Sequence, residues 1–336
     1  MRSSYRAKYL LSAMLLVLMS MFAAACGDDE EGGGGGGGEQ SAQGKTVGVI
    51  APFANPFQTD IRRGAEEVAR ENGVEMIYLN YDADSEREFR YVQDMINRDV
   101  DAVIYGANDA EVSVAGFRRI NNAGIPAVCF DTCVVPEQQQ QLTEAFVTSD
   151  NKQLGNLAGK SAADWINENV DGTAQVGFVT CNTQSVCRER FDAQLEALKE
   201  ADYEEVANQV AVESDKVLTT TEGILQGNQD LDVIVTNGLP QTEGGVAAIN
   251  RLKRDTVLFG MDMTARIARD LLDRGGPLQA AVGQDGPAIG RTMMERAIEV
   301  LEGRKPERFL WEIPGTLYTK DDPEAVREFL ATTSEE

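Results

Sequence analysis

Five polar residues of this 336-residue chain each follow a segment whose composition predicts a β-strand. A carboxylate can accept hydrogen bonds from two hydroxyl groups, a guanidinium donates in a planar fork, and an amide both donates and accepts. An aromatic ring nearby, here that of Phe57, offers an apolar face to the C–H side of a sugar ring. Together these groups have the chemistry needed to hold a small polyhydroxylated solute. The five residues are Asn55, Asp131, Arg188, Asp262 and Gln284.

Each of these residues also has a local explanation. Asp and Asn are common in turns and helix caps because their side chains bond to nearby backbone groups. Arg188 lies in the run Arg188-Glu189-Arg190, which could be a solvated helix face. The set favours a site because all five residues recur at the same place relative to the predicted strands.

The chain contains no histidine. This absence removes the commonest general base, the usual serine and cysteine triads, and most zinc sites. An aspartate pair, Asp131 and Asp262, could still serve a hydrolase, but no nucleophile motif accompanies it. We therefore expect a binding protein rather than an enzyme, with no cofactor and no metal.

Four of the five cysteines fall into two close pairs, and the fifth is Cys26. Neither spacing is that of a zinc ribbon, and four thiols in an oxidising compartment allow three pairings. We favour the two local disulfides, Cys129 with Cys133 and Cys181 with Cys187. The alternative is four unpaired thiols, because an extended chain between the first two cysteines could hold their α-carbons beyond bridging distance.

Short β-branched runs alternate with amphipathic helical patterns from Lys45 onwards. This part of the chain is too long for one compact core and suits two lobes. Strict alternation predicts right-handed crossovers and parallel sheets, whose ligands bind beyond the carboxyl ends of the strands. We therefore predict an α/β fold of two similar doubly wound parallel-sheet lobes. The predicted strands are 46–50, 74–79, 102–105, 125–130, 175–180, 205–212, 231–237, 256–261, 278–283 and 309–313, and the predicted helices are 56–72, 85–97, 110–122, 154–167, 185–199, 216–226, 242–252, 264–272 and 287–301.

The first 44 residues have a different composition. Basic residues precede an apolar run that ends in Ala23-Ala24-Ala25-Cys26, which resembles the signal of bacterial lipoproteins, whose cysteine is lipidated after cleavage. The run is shorter than the roughly 20 residues that span a bilayer, which disfavours a transmembrane anchor. Residues 27–44 include a long run of glycines and are typical of a flexible tether without large apolar side chains to bury. We expect a signal peptide at 1–25, a lipidated Cys26 and tether at 26–44, and export to the outer face of the cell membrane.

Acidic residues outnumber basic ones, 55 against 31, for a net charge of −24. This balance excludes nucleic acid as an expected partner. The acidity could serve to capture a cation or a basic partner. We favour a solvated surface, because a large net charge is explained by solubility more simply than by a specific function.

From Lys45 to Asp322 the chain resembles the ribose-type periplasmic sugar-binding proteins, the type I solute receptors of ABC importers. These receptors share their fold with the ligand domains of LacI-type repressors. The motifs that carry the resemblance are, in order, Asn55-Pro56-Phe57, Val128-Cys129-Phe130-Asp131, Thr148-Ser149-Asp150-Asn151, Arg188-Glu189-Arg190, Phe259-Gly260-Met261-Asp262, Gln284, and Leu317-Tyr318-Thr319-Lys320-Asp321-Asp322.

The resemblance implies two lobes, one of residues 45–149 with 286–313 and one of residues 150–285 with 314–336. Three chain crossings near Asp150, Gln284 and Gly315 would act as the hinge. The expected protein is a monomer that captures a sugar or polyol between closing lobes and delivers it to an ABC permease. The alternative is a ligand-sensing subunit for a chemoreceptor or histidine kinase, which would use the same closure. The residues implied to contact the solute are Asn55, Phe57, Asp131, Arg188, Asp262 and Gln284.

Three positions depart from the ribose receptors. Thr132 follows Asp131 where arginine is usual, and Gln58 replaces a second aromatic residue. The asparagine expected after the seventh predicted strand is displaced to Asn237 or lost at Gly238. Two groups that hydrogen-bond the sugar in the ribose receptors, and one aromatic face that stacks on it, are therefore changed. We expect a neutral polyhydroxylated solute other than ribose.

Overall fold

The computed structural model describes residues 41–333, and this part of the chain forms two six-stranded sheets covered by helices. The predicted fold of two α/β lobes with parallel sheets is confirmed. The predicted signal peptide, the predicted lipidation site Cys26 and most of the predicted tether lie outside the described residues. Among the residues that are described, no helix has the length and apolar character needed to cross a membrane.

The first sheet is parallel throughout and has the strand order β11-β5-β4-β3-β1-β2. Helices cover both of its faces, so β1 is buried over all but its first residue. The elements of this lobe are β1 (Thr46–Ala51), α1 (Pro56–Glu71), β2 (Glu75–Asn80), α2 (Ser85–Asn97), β3 (Ala102–Tyr105), α3 (Val114–Asn122), β4 (Ala127–Phe130), α4 (Pro136–Leu142), β5 (Ala145–Ser149), α10 (Gly286–Leu301) and β11 (Leu310–Ile313).

The second sheet has the strand order β12-β10-β9-β8-β6-β7. Its order repeats that of the first sheet, with β9 in the place of β4 and β6 in the place of β1. The elements of this lobe are α5 (Asn151–Asn169), β6 (Ala174–Thr180), α6 (Ser185–Leu198), β7 (Tyr203–Val210), α7 (Ser214–Gly227), β8 (Val233–Thr236), α8 (Leu239–Leu252), β9 (Val257–Met261), α9 (Ala265–Leu272), β10 (Leu278–Gly283), β12 (Thr316–Thr319) and α11 (Pro323–Thr332).

The chain passes between the two sheets three times, after β5, after β10 and between β11 and β12. Hydrogen bonds tie the first and third passages together. The amide of Asp150 donates to the carbonyl of Ile313 at 2.8 Å. The side-chain amide of Gln153 accepts from the nitrogen of Gly315 at 3.0 Å and donates to its carbonyl at 3.3 Å.

Four elements were not predicted from the sequence. Helix α4 buries none of its residues, and α11 buries only Val326, so neither presents a clear apolar stripe. Strand β5 ends directly before the crossing expected near Asp150, and β12 is a four-residue strand with no buried residue. Strand β12 also pairs antiparallel with β10, so the second sheet is parallel except at this edge.

The predicted tether is wrong at its end, because the folded body begins before Lys45. Ala42 is only 2% exposed and belongs to the core of the first lobe. The amide of Gly44 donates to the carbonyl of Gly73 at 2.8 Å, in the turn that follows α1. The glycine-rich composition of this segment did not reveal that a single alanine methyl group packs into the core of the first lobe.

Helices α1 and α10 approach so closely that their backbones touch at two glycines. A Cβ atom on Gly290 would overlap the carbonyl oxygen of Ile61, and one on Gly64 would overlap the carbonyl oxygen of Pro287. Because the overlapping atoms belong to the helix backbone, they cannot move aside as the end of a flexible side chain could. The contact holds α10, which follows the second crossing, against the first sheet.

Replacement of Gly290 by alanine is expected to destabilise the protein by about 1–3 kcal/mol, because the added methyl group forces the two helices apart. Denaturant unfolding measures the change. The matched control is Gly223→Ala in α7, where the glycine is exposed and an added Cβ meets nothing within 4 Å. That substitution should stabilise the protein by about 0.5–1 kcal/mol through helix propensity. Equal stability of Gly290→Ala and the parent would contradict the close helix contact.

Candidate functional site

A cavity of about 330 Å³ lies where the carboxyl ends of strands from both sheets meet. Open parallel sheets bind ligands at this edge. Residues that follow β1 and β4 line it from the first lobe, and residues that follow β6, β7, β8, β9 and β10 line it from the second. Of the six residues predicted to contact a solute, the cavity brings together five, Asn55, Phe57, Asp131, Asp262 and Gln284.

Two aspartates occupy equivalent places in the two lobes. Asp131 directly follows β4 and Asp262 directly follows β9, and both have left-handed backbone conformations with φ of 59° and 70°. Each amide still bonds to the neighbouring strand, that of Asp131 to the carbonyl of Val147 at 2.9 Å and that of Asp262 to the carbonyl of Val282 at 2.8 Å. The strand pairing therefore fixes where each left-handed turn occurs. Both carboxylates lie in the cavity wall.

The carboxyl group of Asp131 is unusually basic for an aspartate. Burial raises its pKa to about 6, and the negative charge of Asp262 acts in the same direction. The guanidinium of Arg190 and a hydrogen bond from Gln58 lower the pKa without cancelling the effect of burial. Gln58 is 1% exposed, and its Nε2 donates to Oδ2 of Asp131 at 3.0 Å. Asp131 therefore ionises at mildly acidic pH.

The side chain of Gln284 connects three of the groups around the cavity. Its Oε1 accepts from Oγ of Ser149 at 2.6 Å and from a guanidinium nitrogen of Arg190 at 2.9 Å. Its Nε2 donates to Oδ1 of Asp262 at 2.6 Å. Ser149 ends β5 in the first lobe, whereas Arg190 and Asp262 belong to the second. One amide at a chain crossing thus joins both lobes to the charged groups of the cavity.

Arg188, the arginine predicted to contact the solute, is the one predicted residue that the structure does not place in the cavity wall. Arg188 is exposed and does not line the cavity, because its Nη1 donates to the carbonyls of Asn182 and Thr183 at 3.0 and 3.1 Å. Arg190 lines it instead and is 5% exposed. Its Nε donates to Oδ1 of Asn151 at 2.8 Å, which leaves the rest of the fork facing Gln284.

The helical repeat of α6 explains why Arg190, and not Arg188, lines the cavity. Its buried face consists of Cys187, Arg190, Phe191, Gln194, Ala197 and Leu198, which follow the helical repeat. Gly155 of α5 packs against the carbonyl oxygen of Arg190, so this face lies tightly against α5. Arg188 is two residues out of phase and faces away. The repeat of Phe191 and Leu198 was the signal in the sequence that could have identified Arg190.

Asn55 and Phe57 line the first-lobe wall of the cavity. Asn55 is also the N-cap of α1, since its Oδ1 accepts from the amide of Gln58 at 2.9 Å. Asn55 therefore caps the helix with its Oδ1 and also lines the cavity. Phe57 is only partly buried and presents part of its ring to the cavity.

Asn237 has a structural place rather than a place in the cavity wall. It is fully buried, and its Oδ1 accepts from the amide of Cys181 at 2.9 Å. Its Nδ2 donates to Oδ1 of Asn182 and to the carbonyl of Cys187. Asn237 thus fixes the loop between β6 and α6. Of the other positions that depart from the ribose receptors, Gly238 and Thr132 line the cavity, whereas Gln58 lies behind Asp131 and does not.

The structure joins Cys129 to Cys133 and Cys181 to Cys187, with α-carbons 5.6 Å apart in each pair. The first bond brackets Asp131. Both cysteines of the second bond line the cavity, and Cys187 lies one helical turn before Arg190. Each disulfide closes a loop that carries or adjoins a charged group of the cavity. Within residues 41–333 no group of three or more potential ligand side chains is arranged to hold a metal ion.

Comparisons with known proteins agree with this geometry. A family model described as a periplasmic binding protein domain matches residues 47–305. The ABC transporter periplasmic-binding protein YphF of Escherichia coli (strain K12) is 27% identical over 85% of this chain and 89% of the relative. The ribose import binding protein RbsB of Bacillus subtilis (strain 168) is 26% identical over 78% of this chain and 84% of the relative.

Solved structures share the fold. A solute binding protein of an ABC transporter from Bacillus halodurans C-125, with bound myo-inositol, superposes with a TM-score of 0.74 at 22% identity and covers 86% of this chain and 98% of its own. A periplasmic ribose ABC transporter protein from Conexibacter woesei DSM 14684 gives a TM-score of 0.75 at 21% identity, over 87% of this chain and 97% of its own.

Non-reducing peptide mapping of the exported protein is expected to find Cys129 linked to Cys133 and Cys181 linked to Cys187. Loops this short restrict the unfolded chain little, so reduction should lower the melting temperature only modestly. Free thiols at all four positions, or a link between the two pairs, would contradict the assignment.

Asp131 is expected to titrate near pH 6 in the native protein, as measured by carboxyl ¹³C NMR with Asp131→Asn as the assignment control. Because the native pKa lies above the ordinary aspartate value of 3.8, the native state binds an extra proton between about pH 4 and pH 6. The contribution of this group to the free energy of unfolding is therefore largest below pH 4 and is lost as pH rises through 6. Titration near pH 4 would contradict the burial argument.

Proposed function

Because the chain belongs to the periplasmic binding protein domain family, we propose that it captures a small polyhydroxylated solute between its two lobes and delivers it to an ABC permease. The solute is a sugar or a polyol. The protein is a binding component of an importer, not an enzyme, and it works outside the cytoplasm. Two relatives named as ribose or ABC transporter binding proteins align over most of their length, which supports this role.

The observation that carries the proposal is the set of charged and amide groups gathered in one cavity. Asp131 and Asp262 supply acceptors from opposite lobes, and Arg190 supplies donors between them. Gln284 holds Arg190 and Asp262 in a fixed relation. Hydroxyl groups on adjacent carbons both donate and accept, so a polyol can satisfy all of these groups at once. The ring of Phe57 would cover the C–H side of the solute.

The two lobes would close on the solute about the three crossings. We assign residues 45–149 and 286–313 to one lobe and residues 150–285 and 314–336 to the other, which agrees with the sheet to which each strand belongs. Closure brings first-lobe residues such as Asn55 and Asp131 onto a solute already held by the second lobe. The closed form is the one that a permease recognises.

Membrane attachment completes the proposal. Removal of residues 1–25 would leave a lipidated Cys26 as the N-terminus, and the glycine-rich segment after it would tether the body to the outer face of the membrane. Two acyl chains give a lasting anchor, whereas one binds only marginally. The protein would work as a monomer, since one chain supplies both walls of the cavity.

A thermal-shift screen with pentoses, hexoses and polyols tests the function. A solute present at 100 times its dissociation constant adds about 2.7 kcal/mol to the free energy of unfolding, which is a readily measured shift. A clear shift with at least one member of these classes is expected. No shift with any of them, under conditions where the protein is folded, would contradict the proposal.

Replacement of Asp262 by alanine is expected to weaken binding of the solute found in that screen by about 10- to 150-fold, measured by calorimetry. The carboxylate would otherwise accept from two hydroxyls, and its loss leaves them unpaired, a cost of about 1.5–3 kcal/mol. Asp255→Ala is the control, because Asp255 is exposed just before the opposite end of β9. Equal affinities of Asp262→Ala and the parent would remove Asp262 from the site.

Arg190 and Arg188 form a matched pair on α6. Arg190→Lys keeps the charge but loses the planar fork that bonds Asn151 and Gln284 together, so we expect affinity to fall by about tenfold or more. Arg188→Lys should bind like the parent, because Arg188 faces away from the cavity. The reverse pattern of affinities would restore Arg188 to the site and exclude Arg190.

A further inference from the structure

The chemistry of the cavity changes along its length. The strand orders place β10, β9 and β4 next to the edge where the chain crosses between lobes. The residues that directly follow these strands are Gln284, Asp262 and Asp131, all polar. Two apolar side chains also line this part of the cavity, Met263 after β9 and Phe329, whose ring packs on Tyr318 of β12. Strands β8, β6 and β7 lie progressively farther from that edge, as β1 does in the first sheet. The two halves of the cavity can therefore be compared directly.

The far half is apolar on its second-lobe wall. Val212 follows β7, Leu239 and Pro240 form the first turn of α8, and Val186 lies in the first turn of α6. Apart from Arg190, whose guanidinium reaches Gln284, the lining residues that follow β6, β7 and β8 carry no charge. The opposite wall, which follows β1, contains the aromatic side chains of Phe53 and Phe57 together with Asn55 and Asp60. We call five of these side chains the apolar half of the cavity: Val186, Val212, Leu239, Pro240 and Phe53.

Polar side chains of the far half are engaged within the protein. Oδ1 of Asn55 accepts from the amide of Gln58 at 2.9 Å, and a carboxylate oxygen of Asp60 lies 2.8 Å from a guanidinium nitrogen of Arg63. The amide of Gln241 is 1% exposed, and its Nε2 donates to the carbonyl of Ala211. Pro240 has no backbone N–H to offer. Val212, in contrast, is 39% exposed, which makes it one of four large hydrophobic side chains so exposed within residues 41–333. Val212 therefore adds exposed apolar surface to a concave wall, where ligand pockets commonly place such side chains.

We propose that the solute carries an apolar substituent, an alkyl or aryl group attached to its polyol ring, which occupies the apolar half of the cavity. This inference rests on the proposed function, since the hydroxylated ring occupies the half that contains Asp131, Asp262, Arg190 and Gln284. A plain sugar would leave Val212 and Leu239 against water or against its own hydroxyls. An apolar substituent removes that surface from water, with a gain of about fourfold in affinity for each buried methylene group.

Matched solute pairs test the proposal. Each pair consists of a parent and its apolar derivative: pentoses and hexoses with their methyl and phenyl β-glycosides, and myo-inositol with its O-methyl ethers. Dissociation constants are measured by calorimetry after a thermal-shift screen. At least one derivative is expected to bind ten or more times more tightly than its parent. Parents that bind as tightly as all their derivatives, or more tightly, overturn the inference and leave the proposed function standing. Binding of neither set overturns the proposed function itself.

Val212→Thr provides a second test, because threonine keeps the shape of valine and replaces one methyl group by a hydroxyl. The ratio between the affinities for the derivative and its parent should fall severalfold in this variant. Val210→Thr is the control, since Val210 is 52% exposed on the same segment and does not line the cavity. It should leave the ratio unchanged. An unchanged ratio in Val212→Thr would overturn the role of the apolar half.

Discussion

The side-chain amide of Gln284 is the contact on which the rest of the site depends. It lies where the chain leaves β10 and crosses to the other lobe, and it holds Ser149, Arg190 and Asp262 through three hydrogen bonds. Bonds to charged groups are stronger than bonds between neutral partners. The position of the guanidinium relative to the carboxylate is therefore set before any solute arrives, and the same amide reaches the first lobe through Ser149. Preorganisation of this kind reduces the ordering that binding would otherwise require.

The two aspartates show that local strain and charge balance serve the same site. Asp131 and Asp262 both have positive φ, a conformation that costs a non-glycine residue on the order of 1 kcal/mol. Strand pairing on both sides stabilises the turn, so the strain persists where the carboxylates are needed. Two buried like charges would repel each other, and Arg190 opposes that repulsion at Asp131. By lowering the pKa of Asp131, the arginine favours the ionised carboxylate, which can accept hydrogen bonds from hydroxyl groups at neutral pH.

The alternation of short β-branched runs with amphipathic patterns predicted most of the fold, because strands buried on both faces are continuous apolar runs whereas surface helices repeat about every 3.6 residues. It also placed five of six candidate residues in the cavity, since strand ends are easy to locate. It failed where the signal was weak or depended on phase. Helix α11 buries only Val326, and Ala42 packs through a single methyl group. Arg188 and Arg190 differ only in which face of α6 they occupy, and a strand-end argument does not resolve a two-residue difference. The three hydrogen bonds of the Gln284 side chain could not be predicted from the sequence, because its partners Ser149, Arg190 and Asp262 come from distant segments of the chain.

The structure of the complex with the solute identified by screening tests the central claim most directly, namely that the groups joined by Gln284 hold a polyhydroxylated ring between the lobes. The account predicts solute hydroxyl oxygens within about 3.2 Å of the carboxylates of Asp131 and Asp262 and of the guanidinium of Arg190. It also predicts that the bonds of Gln284 to Arg190 and Asp262 persist in the complex. A solute bound elsewhere, or bound in this cavity without contact to either aspartate, would contradict the account.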